Sequence, residues 1–178
     1  MTKDKKKSEV IISPRGVAAY SWLLRPDEAF GQNKFKLTLL LEKEAKENAE
    51  FVKDLKKRHA EATTHDTESP IKDGDEGDKE DFRGHWWFTC KSNFKPKIVD
   101  SKRKELSEDD PTPMSGDIVK VAMKCPPYDT GNRSGVSLQL VAVQLLDKRH
   151  TSNLSSLFGD EEGFIADSDD QHEAEEDF

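Results

Sequence analysis

Aromatic rings interleaved with cations are the chemically suggestive feature of this 178-residue chain. Tyr20 and Trp22 lie near Arg15 and Arg25. Trp86, Trp87 and Phe94 are mixed with Lys91, Lys95 and Lys97, and Tyr128 falls between Lys124 and Arg133. A single-stranded nucleic acid calls for both residue types. Each base offers a π face to a ring, and each phosphate attracts Lys or Arg. The competing explanation is that the rings are core. Core is the better reading for Phe35, Trp86 and Phe88, which fall on the apolar sides of their segments. Trp87 shares a face with Thr89 and Lys91. Tyr128 sits in a loop of Pro, Asp, Gly, Asn and Arg. These two rings are therefore expected to stack, and Lys36, on the polar side of its own segment, joins the candidate set.

Catalysis finds little support. His59, His65, His85, His150 and His172 are scattered, with no HExxH, no CxxC and no Cys–His pair at metal-ligand spacing. There is no GxxxxGK[ST] or GxGxxG phosphate loop, and the acidic clusters lack the glycine and glutamate spacing of a calcium loop. No cofactor or metal is expected. No run of about 18 apolar residues exists that would span a membrane, and the lysines of MTKDKKKSEV have no apolar stretch behind them, so no secretory signal is read there. Cys90 and Cys125 lie in apolar strand-like runs and read as reduced, buried thiols of a cytoplasmic protein.

Charge is segregated. The chain holds 36 acidic and 28 basic residues, a net charge of −8. Ten acidic residues and no Lys or Arg fall between Asp160 and Phe178, and eight acidic residues with two lysines between Asp66 and Asp81. The remainder keeps 26 basic and 18 acidic residues, a body of +8. A basic body points to a polyanion. The acidic end has the character of an interaction segment. Its last residue, Phe178, is no solubiliser, which suggests docking through Asp169, Asp170, Glu173, Glu175, Glu176, Asp177 and Phe178.

The positioning elements are short strands. VII at Val10–Ile12 and VAAY at Val17–Tyr20 flank an SPRG turn. Phe35, Leu37, Leu39 and Leu41 alternate with Lys36 and Thr38, the period of a half-buried strand. From Glu42 to Ala62 the chain lacks Gly and Pro and reads as a helix, with Ala45, Ala49, Val52, Leu55 and His59 as its buried stripe. Trp86, Phe88, Cys90 and Phe94 fall on one face of the next strand; Trp87, Thr89, Lys91 and Asn93 fall on the other. DIVKVAMKC is a strand, PPYDTGNRSG a hairpin loop, and VSLQLVAVQLL one last continuous strand. The pattern predicts a mainly β, OB-fold-like five-stranded barrel with one mid-chain helix. Residues 1–8 are expected as a flexible basic arm and 9–150 as the barrel domain, with 63–82 a mobile acidic loop. Residues 151–178 are expected as a disordered acidic tail.

The order of these segments, with WWFTCKSNF, KIVDSK, PPYDTGNRSGVSLQL and the acidic EEDF terminus, resembles the single-stranded DNA-binding proteins of T7-type bacteriophages. The resemblance covers roughly residues 10–178. It implies an OB fold in the cytoplasm of an infected bacterial host, cooperative coating and annealing of single-stranded DNA, and tail contacts to the replication polymerase and helicase–primase. It places Tyr128 in a DNA-binding loop. Thr130 stands where the family has a second ring, and Trp87 and Thr89 stand where it has lysines. A homodimer is left open. So is a second class of function, an acidic adaptor or nucleic-acid mimic whose barrel binds a protein, although a mimic has no need of a +8 body.

Overall fold

The computed structural model describes residues 9–28, 33–64 and 67–148. In chain order the elements are β1 (Val10–Ile12), β2 (Gly16–Asp27), β3 (Lys34–Glu42), α1 (Lys46–Ala62), β4 (Lys72–Asp73), a 3₁₀ turn (Glu80–Phe82), β5 (His85–Ser92), β6 (Lys97–Val99), β7 (Ile118–Lys124), β8 (Pro127–Asp129), β9 (Ser134–Val136) and β10 (Gln139–Asp147). Strands β7, β2, β3, β5 and β10 pair in that order, and β10 pairs back onto β7. The sheet thus closes into the five-stranded barrel that the sequence pattern predicts. All barrel pairings are antiparallel except β5 with β10. That seam is short, with Gln139 opposite Lys91 and the Lys91 N–H donating to the Leu138 carbonyl at 3.1 Å.

Alternation fills the barrel. Leu37, Leu39 and Leu41 of β3, Phe88 and Cys90 of β5, Val119, Val121 and Met123 of β7, and Leu140 and Val143 of β10 make one core. Val52 and Leu55 of α1 join it, and Phe51 packs on Phe88 with ring centroids 5.9 Å apart. Gly16 lets β2 cross β3 closely, since a Cβ there would meet the Leu40 carbonyl oxygen at 2.5 Å. Cys90 and Cys125 are both free thiols. Cys90 is buried in the core, which raises its pKa strongly; half-buried Cys125 is pushed up to about 11 by desolvation.

Several expectations need correction. The helix begins at Lys46, because Glu42 still belongs to β3. Its buried stripe takes Asn48 in place of exposed Ala49, and the Asn48 Nδ2 donates to the Glu42 carbonyl at 3.0 Å. The last strand is not continuous. β9 ends at Val136, and Val141 is an extra residue between the pairs Leu140–Met123 and Ala142–Ala122. This bulge turns both Leu140 and Val143 inward and leaves Val141 outside. The 63–82 segment is not a featureless loop. Ile71 and Phe82 are 3% and 5% exposed, and β4 adds to β5. The apolar contacts of those two residues anchor a segment that is otherwise strongly acidic.

Asp117, fully buried, latches the barrel shut. It accepts hydrogen bonds from Lys148 Nζ at 2.7 Å and from the Met114 N–H at 2.9 Å, joining the entry to β7 to the exit from β10. Replacing Asp117 by Ala leaves a largely buried ammonium without this partner, so Asp117→Ala should cost about 3 kcal/mol of stability in urea unfolding.

Candidate nucleic-acid interface

β3 is paired on both sides, without a break to β5 and through register shifts to β2, so its outward residues build the centre of one face. Trp22 of β2 stands opposite Lys36, and Lys36 opposite Lys91 of β5. The next outward row is Ala19, Thr38 and Thr89, with the two threonine hydroxyls 2.7 Å apart. After it come Leu40, Trp87 and Lys72 of β4.

Trp22 reaches this face through a bulge. Ala19 to Trp22 spans three steps on β2 against two on β3, from Thr38 to Lys36. The extra residue reverses the parity of the strand, so Ala18 and Leu23 both point into the core and Trp22 points out. Tyr20 lies in the bulge with φ 47°, a left-handed conformation uncommon for a ring-bearing residue. Its N–H donates to Ser115 Oγ at 3.1 Å, and Ser21 Oγ donates to the Pro113 carbonyl at 2.6 Å.

The resulting cleft, about 510 Å³, is lined by Tyr20, Trp22, Asp27, Lys36, Thr38, Pro70, Lys72, Trp87, Thr89 and Lys91. At Lys91 it meets a second cleft, of about 330 Å³, that includes Lys34, Phe94, Lys95 and Lys124. Phe94 falls beyond the end of β5 and is 81% exposed, not on the core face that alternation gave it. Its exposure suits a stacking ring.

The electrostatics favour an anion. Lys36 Nζ lies 3.0 Å from Asp27 Oδ2. Lys91 has its pKa lowered, first by burial and then by repulsion from Lys36 and Lys34, with Asp27 opposing. A phosphate placed among these lysines relieves that repulsion.

The structure therefore gathers Tyr20, Trp22, Lys36, Trp87, Lys91, Phe94, Lys95 and Lys124 along two joined clefts. Arg15 is exposed just ahead of β2, outside both. Lys97 lines a different groove, 3.9 Å from Glu105. Tyr128 and Arg133 belong to the β8–β9 hairpin, which packs on α1 and lines neither cleft. There the His59 ring lies against Gly135, where a side chain has no room. The tail residues Asp169, Asp170, Glu173, Glu175, Glu176, Asp177 and Phe178 lie outside the described residues, as does the arm 1–8. Sequence reasoning missed Lys34 and Lys72, which line the clefts, and Lys79 and Phe82, which lie against the rings of Tyr20 and Trp87. The available signal was Phe82 itself, an aromatic residue in an acidic stretch. Trp86, expected in the core, packs against its edge, with Lys43 and Lys56 over its ring at 4.6 and 4.3 Å. Among the described residues no group of His, Cys, Asp and Glu is arranged to hold a metal ion, and no helix is long and apolar enough to cross a membrane.

A five-stranded barrel of this closure is of the OB class, and rings beside lysines on one outer face are the groups a single-stranded nucleic acid calls for. The family model of the single-stranded DNA-binding protein of Enterobacter phage Enc34 matches residues 10–178, and the chain belongs to that family. It is thus a single-stranded DNA-binding protein of phage type. The fold is similar to that of the bacteriophage Enc34 single-stranded DNA-binding protein, solved as a C-terminal truncation and in complex with ssDNA. Each of those matches has a TM-score of 0.64 and 20% identity, covering 79% of this chain and 87% of the other. It is also similar to gp2.5, a single-stranded DNA-binding protein of bacteriophage T7, with a TM-score of 0.64, 22% identity and coverage of 90% of this chain and all of that one. Comparison with curated protein sequences gives no match.

The lowered Lys91 pKa sets a pH dependence. A phosphate beside Lys91 draws its pKa back up, so binding takes up a proton wherever free Lys91 is already losing one. Affinity for oligo(dT) should therefore begin to fall as pH rises above neutral, short of the ordinary lysine range, and Lys91→Met should flatten that fall. Fluorescence anisotropy titrations across the range measure both.

Proposed function

We propose that the protein coats and protects single-stranded DNA during phage replication, recombination and repair in the cytoplasm of the infected host, acting by binding and not by catalysis. One observation carries this reading: Lys34, Lys36 and Lys91 crowd together on a face flanked by Trp22 and Trp87. The crowded cations want phosphates and the flanking rings offer stacking faces. No such arrangement is needed to support the barrel, because these residues point away from its core. The one described helix, α1, packs on the β8–β9 hairpin and gives up Val52 and Leu55 to the core. It does not serve as a groove-reading helix, so binding is sequence-tolerant and prefers single strands.

The acidic segment 160–178 extends the proposal. Its ten carboxylates are tethered to a cationic face and compete there with phosphates at high effective concentration. DNA displaces the segment, and Phe178 with its neighbouring acids then becomes available to a basic, apolar pocket on the polymerase or the helicase–primase. One segment thereby limits adventitious binding and reports occupancy.

Affinity for oligo(dT) should fall with salt at about −0.7 log unit per neutralised phosphate. Lys36→Ala and Lys91→Ala should each make that slope shallower by about one unit or less. Equal affinity for duplex and single strand contradicts the reading. Deleting residues 160–178 should tighten binding, most visibly at low salt, and abolish polymerase pull-down. Deleting Phe178 alone should impair the pull-down and leave DNA affinity nearly unchanged.

A further inference from the structure

We propose that Tyr20, Phe82 and Trp87 form a stacking site for one nucleobase at the end of the cleft nearest the acidic segment, and that the Lys79 ammonium fills this site in the free protein. The inference rests on the single-strand reading above and adds Phe82 and Lys79 to its machinery.

The three rings come from three separate elements. Tyr20 is thrown out by the β2 bulge, Trp87 lies on the outer face of β5, and Phe82 closes the 3₁₀ turn. Phe82 is the floor. Its ring centroid lies 6.2 Å from that of Tyr20, edge-on, and 5.3 Å from that of Trp87. Phe82 is nearly buried, whereas Tyr20 is 52% exposed.

The floor is built, not incidental. Gly74 approaches so closely that a Cβ there would collide with the Phe82 carbonyl oxygen. The Gly74 N–H donates to the His85 carbonyl at 2.9 Å, and the Asp75 carboxylate accepts from the Gly84 N–H at 2.8 Å. Lys43 bridges Asp73 and Asp75. The segment that carries Phe82 is thus pinned to β5 before and after the 3₁₀ turn. Tyr20 is held in a left-handed conformation by the surrounding pairings. Strain of that kind persists only where neighbours over-determine it, and it concentrates at binding sites.

Lys79 lies over all three rings, 4.4 Å from the centroid of Tyr20, 4.9 Å from Phe82 and 5.8 Å from Trp87. An ammonium on partly exposed rings is held weakly. A base offers a broader face, and its phosphate offers Lys79 a full negative charge. The exchange conserves contacts: the base takes the rings, and Lys79 moves to the phosphate. From this site the two joined clefts run to the cationic end at Lys34 and Lys124.

The test compares oligo(dT) with an abasic oligomer of the same length, using the full chain. Tyr20→Ala, and Phe82→Leu to retain apolar bulk, should each weaken oligo(dT) binding about tenfold and leave abasic binding unchanged. Lys79→Ala should make the salt slope shallower with both oligomers. The inference is overturned if Tyr20→Ala loses the same factor on both oligomers, or binds oligo(dT) as the unaltered protein does. If Phe82→Leu lowers the melting temperature, Tyr20→Ala, whose ring is half exposed, decides the matter. Failure of the unaltered protein to bind either oligomer overturns the functional reading itself. Binding of both oligomers with no ring dependence overturns only the base site.

Discussion

Lys36 lies between Trp22 and Lys91 because β3 pairs on both edges and gives alternate residues to opposite faces. Leu37, Leu39 and Leu41 must be inside for the barrel to have a core. Lys36, Thr38 and Leu40 are then outside, and the side chains of β2 and β5 in register with them share that face. A one-residue slip of β3 would turn Lys36 towards the core and take the three leucines out of it. The stability of the barrel therefore enforces the register that sets the spacing of rings and cations. The binding face needs no separate scaffold; it is the reverse side of the core.

The same constraint explains why like charges are tolerated. Lys34, Lys36 and Lys91 are held near one another by strand pairing, and Asp27, 3.0 Å from Lys36 Nζ, offsets part of their charge. Folding accepts their repulsion because the leucines behind them gain more. On the function proposed above, a phosphate backbone lying here removes the repulsion, and part of the affinity then comes from relieving the free protein. The acidic segment is anchored by Ile71 and Phe82, and the residues it gives to the first cleft are Pro70 and Lys72.

Much of this was legible in the sequence. The alternation of β3 fixes its two faces, and the company of Thr89 and Lys91 assigns Trp87 to the outside. What could not be read were the places where one residue changes the parity. The bulge at Tyr20 places Trp22 outside, although simple alternation puts it with Ala18 inside. The extra Val141 turns Leu140 and Val143 to the same side. Bulges leave no periodic signal, because they depend on contacts from distant segments such as the Ser115 hydroxyl on the Tyr20 N–H. The acidic segment misled for a different reason. Its composition is that of a solvated loop, and two apolar residues suffice to fasten it to β5.

Photo-crosslinking of oligo(dT) to the full chain, with attachment sites assigned residue by residue by mass spectrometry, tests the central claim most directly. The outer face of β2, β3 and β5 predicts crosslinks at Tyr20, Trp22, Trp87 and Phe94, suppressed by high salt. Crosslinks confined to Trp86 or to the β8–β9 hairpin at Tyr128, with none on that face, would contradict it.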